Sequence, residues 1–157
     1  MDIQLFHGDC LEVMKDVPDK SIDLVIIDPP YVIKGGKRGG AFGRDKRSYH
    51  DELNEISNGF NDEVLKELVR VLKKINLYIF CSKGQIYELL HFFKNIQNVN
   101  YEVLTWHKTN PVPTCNNKYL SDTEYLLFFR EKGVKIYGTY ETKKKYYVTA
   151  TNKEDKK

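Results

Sequence analysis

The chain has 157 residues, 41% of them hydrophobic and 30% charged. That is the composition of a single folded domain with a buried core, not of a disordered or collagen-like chain. No apolar run reaches the roughly 18 residues a membrane span requires, and the opening MDIQLFHGDC does not read as a secretory leader. The net charge of +3 permits a nucleic-acid partner without demanding one, and three scattered cysteines, Cys10, Cys81 and Cys115, argue for reduced thiols in a cytoplasmic protein.

In chain order, Ile3 to Phe6 reads as a short strand. Asp9 and Glu12 have the spacing of a capping box, so a short helix is expected from about Cys10 to before Pro18. Ile22 to Ile27 is almost continuously apolar and β-branched, the pattern of a parallel strand covered on both faces. Pro29-Pro30 ends it. Residues 34–57 read as a long mobile loop whose first half carries Lys34, Lys37, Arg38, Arg44, Lys46 and Arg47 among glycines. Asn61 is a good N-cap for an amphipathic helix through Val64, Leu65, Leu68, Val69 and Leu72. Leu77 to Cys81 is the next strand and Gln85 to Asn95 the next helix. Tyr101 to His107 and Glu124 to Arg130 read as strands, Val134 to Tyr140 and Tyr146 to Thr149 as a terminal hairpin, and residues 150–157 as a solvated tail. The alternation predicts one α/β domain over residues 1–157, mostly parallel with an antiparallel C-terminal hairpin.

In such sheets ligands sit beyond the carboxyl ends of strands. Asp9, Asp28-Pro29-Pro30-Tyr31 and Ser82-Lys83 all fall there. The tetrapeptide is the sharpest signal. Its prolines fix φ and remove two backbone donors, leaving a carboxylate, free carbonyls and an aromatic ring close together. That set suits a planar ring bearing an exocyclic amine. His7, His50, His91 and His107 show no metal-ligand spacing, so no metal site is expected. Glu124 and Asp122 have no chemical partner evident in sequence and read as structural; Lys143-Lys144-Lys145 reads as a solubilising patch.

The segment HGDCLEVMKDVPDKSIDLVIIDPPY resembles the opening of DNA amino-methyltransferases, which methylate adenine-N6 or cytosine-N4 with S-adenosylmethionine. TWHKTNPVPTCNNKYLSDTEYLLFFREKG resembles their second block, and the order of the two is that of the permuted, phage-like group. The resemblance implies an incomplete Rossmann-like methyltransferase sheet, double-stranded DNA as partner and a bacterial or phage origin. It implies that Asp28 and the Pro29 carbonyl accept from the target amine, with Pro30 stiffening the turn. It also implies that Tyr31 stacks on a flipped base and that Asp9 lies near the cofactor. Trp106, Lys108 and Asn110, beside His107 and Pro111, resemble residues lining the target-base pocket, with Lys108 as a phosphate contact. Lys37, Arg38, Arg44, Lys46 and Arg47 are then expected to neutralise phosphates, with Phe42 as a wedge. Asp ahead of Pro-Pro-Tyr points to adenine-N6, with cytosine-N4 as the alternative.

The chain departs from the family in one respect. No F-x-G-x-G loop for S-adenosylmethionine follows the second block. A further segment or a second chain is therefore expected to complete the sheet and the cofactor site. The rival expectation is a non-catalytic DNA-binding remnant or regulatory subunit.

Overall fold

The computed structural model describes residues 3–31, 61–111 and 117–150. They form one five-stranded sheet with three α-helices: α1 (Cys10–Lys15), β1 (Val25–Ile27), α2 (Asp62–Val71), β2 (Asn76–Cys81), α3 (Ile86–Lys94), β3 (Val99–Lys108), β4 (Thr123–Glu131) and β5 (Tyr146–Thr149). The strand order is β1-β2-β4-β3-β5. β1 pairs parallel with β2 and β3 parallel with β5, while β4 is antiparallel to both of its neighbours. Four strands thus share one direction. The mostly parallel α/β sheet expected from the sequence is present, with β4 as its one antiparallel strand.

Local chemistry sets the helix ends. Asp9 Oδ1 accepts from the backbone N–H of Leu11 and Glu12 at 2.9 and 3.3 Å, which caps α1. Glu12 does not complete the capping box; it pairs with Lys15 instead. Asn61 Oδ1 accepts from Val64 N–H at 3.0 Å and caps α2. The other end of α1 is held by a contact the sequence does not reveal. Arg70 of α2 donates to the carbonyls of Met14 and Val17 at 2.7 and 2.9 Å, and its guanidinium also meets Glu67 and Asp19. Carbonyls at the negative end of the α1 dipole thereby gain a cation.

The three helices pack on one face. Leu77, Ile79 and Cys81 of β2 and Leu127 and Phe129 of β4 form a core with Val64, Leu65 and Leu68 of α2 and Leu89 and Phe93 of α3. Phe93 stacks on Phe129 at 4.0 Å between centroids. The alternate residues point the other way, where Tyr78 stacks on Phe128 at 4.1 Å.

Three expectations are corrected. Ile3 to Phe6 is not a strand: Ile3, Leu5 and Phe6 are exposed and no described strand lies beside them to pair with. The Ile22–Ile27 run is paired only along β2, with Ile22 in an isolated bridge to Leu72. It is not covered on both faces, because Ile26 is 62% exposed on the side away from the helices. Val134 to Tyr140 does not form a hairpin with Tyr146 to Thr149. Gly138 takes φ +122°, and the Thr142 hydroxyl caps Thr139 N–H at 2.8 Å ahead of a 3-10 turn at Glu141–Lys143, which ends any extended run. β5 instead returns alongside β3, where Lys145 pairs with Glu102 and the Thr105 N–H donates to the Lys145 carbonyl at 2.9 Å.

Leu127 is fully buried in the central strand. Leu127→Ala should lower unfolding free energy by about 2–5 kcal/mol in urea titrations. Cys81 is also core, and burial pushes its thiol up to about 11, whereas Cys10 is exposed. Iodoacetamide at pH 8 should alkylate Cys10 in the native chain and reach Cys81 only in denaturant, as read by peptide mass mapping.

Candidate active site

β1 delivers Asp28 to the carboxyl end of the parallel strands. Its register with β2 pairs Ile27 with Ile79. Asp28 follows directly on that pair, and on the far side of β2 the ladder with β4 runs on to Cys81 and Tyr125, one residue short of Glu124. Pro29 is buried, Pro30 and Tyr31 are half-buried, and Asp28 is exposed. The prolines anchor the turn while the carboxylate stays open to solvent.

Tyr31 and Asp28 act on one another. Burial first, and then the charges of Asp28 and Glu124, push the phenol pKa well above its ordinary value. The phenol therefore stays protonated beside the Asp28 carboxylate, a donor facing an acceptor.

β3 and β4 bring a second group to the same sheet end. Trp106 lies directly opposite Glu124 in the antiparallel ladder. Glu124 forms an ion pair with Lys108 Nζ, both side chains being about three-quarters buried. The same ammonium lies 5.5 Å from the centre of the Trp106 ring. Trp106 Nε1–H donates to Thr149 Oγ1 of β5 at 2.7 Å, so the indole is held from two sides. Trp106, Lys108 and Glu124 project from the face opposite the helices, the face that also carries Tyr78 and Phe128.

The two blocks named from the sequence thus share one sheet end, and Glu124 stands between them. Sequence reading passed over Glu124 because its partner is sixteen residues away and is fixed only by the antiparallel pairing of β3 and β4. Lys108 is not a free surface cation here; it is neutralised by Glu124.

The remaining candidates fall elsewhere. Asp9 caps α1. Ser82 donates from its N–H and Oγ to Gln85 Oε1 at 3.0 and 2.9 Å, which builds the start of α3, and Lys83 is exposed beside it. Asn110 is exposed just past β3. Lys37, Arg38, Arg44, Lys46, Arg47 and Phe42 lie outside the described residues, as does Cys115. His107 is held by two hydroxyls. Thr123 Oγ1 donates to Asp122 Oδ1 and so accepts from His107 Nδ1–H at 3.1 Å, leaving Nε2 to accept from Thr105 at 3.0 Å. Among the described residues no group of three or more His, Cys, Asp or Glu side chains could hold a metal ion. No helix among them is long and apolar enough to cross a membrane.

Comparison with known proteins bears on the fold and the family. The type II methyltransferase M.HinfI of Haemophilus influenzae is 32% identical over 116 residues, covering 69% of this chain and 32% of that enzyme. M2.LlaDCHI of Lactococcus lactis subsp. cremoris is 27% identical over 154 residues, covering 90% of this chain and 56% of that enzyme. The chain thus spans from about a third to just over half the length of these curated relatives. In fold it is similar to M1.HpyAVI, solved as a complex with SAM, with a TM-score of 0.60 at 23% identity over 90% of this chain and 61% of that one. It is also similar to the cytosine-N4-specific PvuII DNA methyltransferase, with a TM-score of 0.59 at 13% identity over 94% of this chain and 57% of that one. The mixed α/β sheet is accordingly a methyltransferase sheet. A model of the N6/N4 DNA methylase family matches residues 22–157, a span that takes in both Asp28-Pro29-Pro30-Tyr31 and the Trp106–Glu124 ladder, and the chain belongs to that family.

Proposed function

We propose that the chain carries the target-base half of a DNA amino-methyltransferase acting on a base flipped out of double-stranded DNA, with adenine-N6 as the preferred amine. The observation that carries this is the solvent-facing Asp28 carboxylate just past β1, beside the half-buried Tyr31 and the buried Pro29. An amine conjugated to a purine is a poor nucleophile because its lone pair is delocalised. Two acceptors, the Asp28 carboxylate and the Pro29 carbonyl, favour a more pyramidal nitrogen and aim its lone pair. Asp28 also takes the proton that the amine loses. The Tyr31 ring covers one face of the base, a stacking contact worth about 1–3 kcal/mol. Trp106 and Asn110 line the far side of the pocket. Lys37, Arg38, Arg44, Lys46 and Arg47 meet the backbone phosphates, giving salt-dependent affinity.

S-adenosylmethionine supplies the methyl group in this scheme. The described residues do not build a cradle for it by themselves. Asp9 is the one candidate ligand, and its Oδ1 is already occupied in capping α1. The turn from β2 into α3 holds a single glycine, Gly84, with no F-x-G-x-G pattern around it, and Ser82 there is engaged with Gln85. We therefore place the cofactor on a further segment or a second chain that also pairs with β1. Leu24 and Ile26 are exposed there, and Ile3, Leu5 and Phe6 lie unpaired; apolar surface of that kind favours added strands. The lack of a cradle also favours one rival, a DNA-binding subunit that performs no chemistry. Either way the protein works in the cytoplasm.

Calorimetry with the chain alone should show no micromolar S-adenosylmethionine binding. Clean one-to-one binding at that affinity would overturn the division of labour. Supplying the cofactor-loop segment of a relative in trans should give labelled methyl transfer to unmethylated duplex DNA of mixed sequence. Asp28→Ala should then reduce the rate by about 10²–10³-fold. Activity that survives Asp28→Ala refutes the mechanism, and a folded complex without activity selects the binding-only rival.

A further inference from the structure

The geometry points to Glu124 as the positioning residue of the base pocket: through Lys108 it fixes the Trp106 ring, and it joins that ring to the Asp28–Tyr31 corner as one surface. The inference rests on the proposed target-base pocket and names a residue that neither sequence block marks as chemical.

Four observations carry it. Glu124 is the cross-strand neighbour of Trp106. Its carboxylate pairs with Lys108 where both side chains are about three-quarters buried, so solvent competes poorly for either charge. The ammonium so held lies 5.5 Å from the Trp106 ring centre, and it can act on the ring only while Glu124 keeps it there. On the other side the charge of Glu124 reaches the Tyr31 phenol, the ring next to Asp28, and is among the causes that keep it protonated.

The chemistry of the pair is asymmetric. An unpaired Lys108 is a long, strongly hydrated chain that leaves the indole for solvent. An unpaired Glu124 is a half-buried anion beside the site, and repels any acceptor face of a base. Together the two are neutral, so the surface between Trp106 and Tyr31 presents aromatic rings and one carboxylate. A flat, uncharged purine fits that surface. Lys108 on this account serves the base, and the phosphates fall to other cations.

Trp106 is the sole tryptophan of the chain, so its fluorescence reports on this one place. The probe is free deoxyadenosine at millimolar concentration, which needs no flipping and carries no phosphate. In the full chain, Glu124→Gln should make Trp106 more accessible to acrylamide and weaken deoxyadenosine binding by about tenfold. Lys108→Gln should do the same from the other side of the pair. The double variant should be no worse than either single one, because both remove the same interaction. Additive losses, or a Glu124→Gln chain with wild-type quenching and affinity, would overturn the inference. Should Glu124→Gln fail to fold by circular dichroism, Lys108→Gln decides alone: unchanged quenching and affinity overturn the inference, and loss of both supports it. Asp28→Ala in the same titration separates the two levels. If it has no effect, or the wild-type chain ignores deoxyadenosine, the pocket itself is wrong and the inference falls with it; if it weakens binding and Glu124→Gln does not, only the role of Glu124 falls.

Discussion

The position of β4 fixes the rest of the sheet. It runs antiparallel between β2 and β3, and its residues alternate between two duties. Leu127 and Phe129 enter the helix-covered core, the latter stacked on Phe93 of α3. Phe128 and Glu124 face the opposite side, Phe128 stacked on Tyr78 and Glu124 paired with Lys108. Because the side-chain period of a strand is two, a slip of one residue in β4 would put Glu124 into the core and Leu127 out of it. Core packing and site assembly are therefore one constraint, enforced by the same nine-residue strand.

That coupling explains how a small chain holds a polar site rigid. Asp28 is solvent-exposed, yet the turn that carries it is anchored: Pro29 is buried, and Pro30 and Tyr31 are half-buried. Trp106 is similarly held between Thr149 of β5 and the Lys108–Glu124 pair. The outer strand β5 is short and exposed, but through Thr149 it sets an aromatic ring in the site. Groups placed in this way need little reorganisation when a ligand arrives, which is the physical content of preorganisation.

The sheet is unequal on its two faces. Three helices cover one, with Arg70 binding α1 to α2 through the carbonyls of Met14 and Val17. The other carries the candidate site residues and the Tyr78–Phe128 stack, and its β1 edge leaves Leu24 and Ile26 in water. Apolar surface at an open edge has a thermodynamic reason to be covered. The chain spans only part of the length of its relatives, and this is the place where additional structure has most to gain.

Much of this was legible in the residues. Helical spacing after Asn61 and the strand at Leu77 to Cys81 depend on local periodicity and capping, so they survive translation into structure nearly unchanged, whereas the apolar run before Pro29-Pro30 keeps only Val25–Ile27 as strand. The Asp28-Pro29-Pro30-Tyr31 turn was readable because its stiffness is covalent. Three things were not. Ile3 to Phe6 has strand composition, but a strand exists only where a neighbour offers hydrogen bonds. The 134–149 region looks like a hairpin, but Gly138 and the Thr139–Thr142 turn send the chain back along β3. Glu124 looks inert until antiparallel pairing sets it opposite Trp106 and against Lys108. Sequence alone determined the capped helices, the strand at Leu77 to Cys81 and the stiffness of the Pro29-Pro30 turn, because those follow from bonds and spacings along the chain. Only the tertiary structure decided which of them meet, because strand order, register and the choice of face are set by burial across the whole sheet.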